Sequence, residues 1–74
     1  MMNSIKIGSI YEHFKGHKYK IIAIAKYSED LSELVIYQNI ETNDMWARPI
    51  EMFYDKKEFN GKVVDRFRLI DLFS

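Results

Sequence analysis

Polar and apolar positions along the chain alternate in short runs that end at polar breaks. Runs of period two, rich in β-branched and aromatic residues, predict strands rather than helices. The first spans Ile10 to Phe14, with Ile10, Glu12 and Phe14 on one face and Tyr11 and His13 on the other. The second, Tyr19 to Lys26, is apolar on both faces in its middle and lysine-bounded, as a central strand of a tight barrel would be. The third, Glu33 to Ile40, sets Leu34, Ile36 and Ile40 against Val35 and Tyr37. The fourth is short, Met45 to Arg48, and Pro49 ends it because proline has no N–H for a ladder. Proline also opens a helical turn at its first position, where Ile50, Phe53 and Tyr54 share a face at i, i+3, i+4. A last strand covers Val63 to Ile70, with Val63, Phe67 and Leu69 inward and Val64, Arg66 and Arg68 outward. Leu69, Leu72 and Phe73 also fit helical spacing, so a helical tail stays open as an alternative.

The breaks carry turn chemistry. Lys15, Gly16 and His17 separate the first two strands, Ser28, Glu29 and Asp30 the next two, and Glu41 to Asp44 the third and fourth. Asn60-Gly61 is a strong hairpin signal. Five short strands with a helical turn before the last predict an all-β fold, a small five-stranded SH3-like barrel over residues 1–74, whose closure would remove exposed edges.

Composition narrows the picture. A chain of 74 residues holds one domain with a small core. It has no Cys, which excludes disulfides and thiolate metal sites and fits a reducing, cytoplasmic setting. Aromatic residues make up 15%, and their large buried area substitutes for a staple. No run is long enough to span a membrane and no secretory leader is recognisable. The net charge is +0 but uneven: residues 1–26 carry +4, residues 27–51 carry −5 and residues 52–74 carry +1. Either the basic segment lies beside the acidic one within the fold, or a dipolar surface docks on a partner or on a second copy.

Candidate chemistry concentrates in few residues. Trp46 and Arg48 share a face of the fourth strand, so the guanidinium can stack on the indole or clamp a loop carboxylate such as Glu29 or Asp30. The functional reading is a carboxylate or anion clamp beside an aromatic wall, with Tyr11, His13 or Tyr37 nearby and Arg66 as a second such arginine. His13 and His17 straddle a turn without a third ligand, so no metal is expected, nor any cofactor. Trp46, Met52, Phe53 and Phe67 read as core.

Gly8, Tyr11, His13, Lys15, Gly16 and Tyr19, then Ala25, Ser28, Glu29, Val35 and Tyr37, form a joint pattern. Trp46, Arg48, Pro49, Met52, Phe53, Gly61, Arg66 and Phe67 continue it. On these residues the chain, from about Gly8 to Ile70, resembles DUF1653, a family of small bacterial proteins of unknown function. Tyr27 stands where the family usually has His, and Asp30 where it often has Thr. The resemblance implies a fold and no reaction.

Neither a Cys nucleophile, a phosphate-binding glycine loop nor a Ser–His–Asp spacing is present, so an enzyme is not the favoured reading. A barrel of this size has little room for a closed pocket of about 300 Å³. The expectation is a non-catalytic binding module that takes a peptide, protein or small anionic ligand through Tyr11, His13, Lys15, Tyr37, Trp46, Arg48 and Arg66. The alternative is a nucleic-acid-binding barrel, with aromatics stacking on bases and Lys6, Lys15, Lys18, Lys20 and Lys26 on phosphates. The absence of net positive charge weighs against it.

Overall fold

The structure is a computed structural model and describes residues 5–71. Seven strands and one helical turn follow in order: β1 Ile10–His13, β2 Lys18–Lys26, β3 Glu33–Asn39, β4 Met45–Pro49, α1 Ile50–Phe53, β5 Lys56–Phe59, β6 Lys62–Asp65 and β7 Phe67–Asp71. All pairings are antiparallel. The five-stranded sheet has the order β4-β3-β2-β1-β7, and β5 and β6 form a separate two-stranded sheet. The all-β expectation holds, but no ladder joins β4 to β7, so among the described residues the sheet is open where a closed five-stranded barrel was expected.

The predicted last strand is two strands. Asn60 and Gly61 both have positive φ, 55° and 77°, which matches a two-residue hairpin turn of the mirror-image type. That turn folds β6 back onto Lys56–Phe59, a polar strand the alternation pattern did not reveal. At Arg66 the chain then changes sheets: its N–H donates to the Asp55 carbonyl at 2.8 Å and its carbonyl accepts from Phe14 N–H at 2.9 Å. Val63, in the separate hairpin, is 70% exposed, whereas Leu69 shares the face of Phe67 but is 45% exposed where Phe67 is buried. The ladder partners of β7 also overturn a helical tail as far as Asp71; Leu72 and Phe73 lie outside the described residues.

β2 is the middle strand, as its pattern implied, but its apolar faces have a different cause. Ile21 pairs with Tyr37 and Ala23 with Ile36, so Ile22 is an extra residue and the ladder carries a bulge. A bulge switches the side-chain alternation, which turns Ile21 inward before it and Ile24 inward after it. The inner face thus carries Tyr11, Tyr19, Ile21, Ile24, Val35, Tyr37 and Phe67. Pro49, with φ −54° and ψ 140°, ends β4 and sits just before α1 rather than within it. The turn presses Phe53 onto this face at 1% exposure, while Tyr54 stays exposed. Phe53 and Phe67 stack with centroids 4.2 Å apart and planes 6° apart, and Tyr11 and Tyr37 pack edge-on against Phe53 at 5.1 and 5.7 Å. Such pairs add about 0.5–1.5 kcal/mol each beyond burial, a substantial share for a core this small.

Two core expectations are corrected. Trp46 is 51% exposed and Met52 43%. Trp46 lies opposite Tyr37 in the ladder and therefore on the inner side, but β4 is an edge strand and no described strand beyond it covers the ring. The basic and acidic segments do meet at Lys26 opposite Glu33. The ion pairs Lys56–Asp65, Arg66–Asp55 and Arg68–Glu12 involve other segments.

Candidate functional site

Arg48 faces the inner side of β4, opposite Val35. Its Nε donates to the Tyr37 hydroxyl at 3.1 Å and its guanidinium lies 6.0 Å from the centroid of Phe67. The expected stack on Trp46 is thus replaced by one on Phe67, because the side chain folds toward the middle of the sheet. The expected loop carboxylate is not its partner either. Asp30 instead accepts from the N–H and hydroxyl of Ser32 at 3.0 and 2.7 Å, which hold its carboxyl below the usual range. Among the described residues Arg48 makes no ion pair.

His13 lies on the same face at the end of β1, opposite Phe67 in the ladder. Its ring packs on Phe14 at 4.5 Å and edge-on to Phe67 at 5.0 Å and Tyr19 at 6.4 Å. Its Nδ1 accepts from the Lys15 backbone N–H at 3.2 Å, which assigns the proton of the neutral ring to Nε2. Burial, then the charges of Arg66, Arg48, Lys15 and His17, hold its pKa below 6.5. His13 is therefore a neutral donor in a cationic field near neutral pH.

Arg66 completes the group. Its side chain is 11% exposed, one terminal nitrogen reaches Asp55 at 3.4 Å, and its Nε is buried without a hydrogen-bond partner. Burying an unsatisfied donor costs free energy, so this position is locally unfavourable unless another group meets it. Tyr19, which with Tyr11 and Tyr37 would make an aromatic platform if they shared a face, joins the wall at 5.1 Å from Tyr37 and 5.8 Å from Phe67. Its inward alternation on β2 was the available signal.

The predicted site residues thus divide. Tyr37, Arg48 and His13 gather around Phe67 on one face, and Arg66 acts on His13 through its charge. Trp46 stands at its rim. Lys15 lies in the exposed turn with its Nζ 5.8 Å from the Phe14 centroid. Tyr11 shares this inner face, edge-on to Phe53, and also lines an open cleft of about 380 Å³ with Tyr54, Lys56, Asp65, Phe67, Arg68 and Leu69. Burial and the neighbouring Tyr54 push the Tyr11 hydroxyl above its ordinary pKa. A second open cleft, about 450 Å³, lies on the outer side between Tyr27, Asp30, Ser32, Leu34, Ala47, Pro49 and Glu51. Tyr27 and Asp30 line this cleft and not the arginine face. Both spaces are open to solvent, so neither is the closed pocket whose size the sequence bounded. Among the described residues no set of three or more His, Asp or Glu side chains is arranged to hold a metal ion. No helix there is long and apolar enough to cross a membrane.

Fold and site together define a small antiparallel β protein with a cationic, aromatic-walled inner face. Residues 9–69 match the family described as "Protein of unknown function (DUF1653)", and the chain belongs to that family. No curated protein matches it. The crystal structure of a DUF1653 protein from Bordetella bronchiseptica is similar at a TM-score of 0.82. The two share 19% identity, over 100% of this chain and 97% of that one. The likeness carries the fold.

Proposed function

We propose that the domain is a non-catalytic binding module whose inner face holds a ligand through a carboxylate. The observation that carries this reading is Arg48, half-buried against Phe67, oriented by Tyr37 and lacking any described acidic partner. A guanidinium fixed by one nitrogen keeps its other N–H groups in a planar fork that suits a carboxylate. Neutral His13 adds an Nε2–H donor, and Arg66 adds positive field. The aromatic wall lowers the local dielectric and strengthens each of these interactions. Relatives of the SH3-like barrel, the closed form expected for this chain, present ligands along comparable aromatic faces, an analogy of architecture only.

The nucleic-acid reading has less support. Lys18 and Lys20 alternate out of phase with inward Tyr19 and Ile21, so they lie on the opposite side of the sheet from the aromatic rings. Stacking and phosphate contacts would need both on one side.

The test is an amide and Arg Nε–H chemical-shift titration with glutarate, a short acidic peptide and a single-stranded oligonucleotide. The expected result is saturable shifts at His13, Tyr37, Arg48 and Phe67 with the carboxylates, abolished in Arg48→Gln. Shifts confined to β2 lysines with the oligonucleotide alone would reject the proposal.

A further inference from the structure

The outer edge of β4 has an unusual set of free groups. Asn39 N–H donates to the Asp44 carbonyl at 2.9 Å, which makes Asn39 and Asp44 a hydrogen-bonded pair. Antiparallel ladders alternate bonded and non-bonded pairs, so Tyr37–Trp46 and Val35–Arg48 are the bonded pairs and Met45, Ala47 and Pro49 turn their backbone groups away from β3. Pro49 fits this phase, since a missing N–H does no harm on the outward side. No described strand lies beyond β4. Its free edge therefore offers the N–H and C=O groups of Met45 and Ala47, flanked by Met45 and Trp46 side chains that are each 51% exposed.

We infer that β4 pairs with β4 of a second copy, antiparallel about a two-fold axis at Trp46. The register follows from the sequence. Met45 opposes Ala47 of the second copy and the reverse, so the two copies together satisfy all four free groups of each edge. Trp46 opposes Trp46 in the non-bonded pair between them, where side chains approach most closely. Asp44 opposes Arg48 of the second copy, on the inner face. Within one chain neither Asp44 nor Arg48 has an ion-pair partner among the described residues. The pairing is thus complementary in charge as well as in hydrogen bonding, and the symmetry doubles both terms. It also ends cleanly, since Pro49 opposes Asn43, whose φ of 67° leaves the strand. The inference rests on the reading of Arg48 as a carboxylate-binding group, whose guanidinium would turn from Phe67 toward the β4 edge to meet Asp44 of the second copy.

Sedimentation equilibrium of the full chain tests this. The expected result is a concentration-dependent shift from monomer to dimer below about 1 mM, weakened by salt. Ala47→Pro removes an outward N–H and no bond to β3, so it should leave the fold intact and weaken dimerisation at least about tenfold. Asp44→Lys should do the same by placing two cations together. A monomer at all these concentrations, or a dimer that Ala47→Pro leaves unchanged, would overturn the pairing. A glutarate titration of the Ala47→Pro variant separates the two readings. If Arg48 Nε–H responds while the wild type stays monomeric, the clamp stands and the second copy is rejected. The same applies if an acidic peptide, rather than a second copy, protects the Met45 and Ala47 amides.

Discussion

Phe53 and Trp46 are both large aromatics on the inner side of one sheet, yet Phe53 is 1% exposed and Trp46 51%. The difference lies in what flanks each of them. Phe53 is pressed by α1 between Tyr11, Tyr37 and Phe67, over the middle of the sheet. Trp46 sits on the edge strand β4, opposite Tyr37, with no described ladder beyond it. Ring chemistry therefore does not decide burial in this molecule; what covers the ring does, since Phe67 on the opposite edge strand is 6% exposed beneath Phe53. The middle supplies stability, and the edge keeps apolar surface available for contact.

The largest effect expected from this contrast is Phe53→Ala, which removes a ring packed on three others and should cost about 3–5 kcal/mol. Chemical denaturation measures it, and a loss below about 1 kcal/mol would mean that the middle is not the core. Arg48→Ala stands between the two regions. It removes the bond to the Tyr37 hydroxyl and should cost about 1 kcal/mol, while the carboxylate-induced shifts disappear. A loss as large as that of Phe53→Ala would make Arg48 a structural residue and remove the clamp. Trp46→Ala, measured at dilution where the chain is monomeric, should fall within about 0.5 kcal/mol of wild type. A cost near that of Phe53→Ala would erase the distinction between middle and edge.

The smallest effect is a slope with pH. Burial and the neighbouring cations hold His13 below its ordinary pKa of 6.5 in the folded state. On acidification the unfolded chain takes up the proton first, so the contribution is complete above that value and is lost as pH falls through it. Stability measured from pH 7.5 to 5 should decline less steeply in His13→Gln than in wild type. Equal slopes would place His13 in ordinary solvent rather than at the margin of the ring cluster.

The legible and illegible parts of the sequence follow the same boundary between local and distant causes. The β1 to β4 spans, the turn after Pro49 and the Asn60-Gly61 hairpin were readable, because alternation, missing donors and positive-φ residues act within a few positions. β5 was not, since Lys56 to Phe59 is polar and becomes a strand only through its partner β6. Arg48, Tyr37, His13 and Arg66 were named as candidates from residue type. That Arg48, Tyr37 and His13 converge around Phe67 depended on strand order and the switch of sheets at Arg66. By itself, then, the sequence determined an antiparallel β fold, its turns and its family. Only the tertiary structure decided the open sheet, the bulge at Ile22 that moves Ile24 inward, and the exposure of Trp46. The physical reason is that burial, charge fields and free edges are properties of which strands become neighbours, and the chain's local pattern does not specify neighbours distant in sequence.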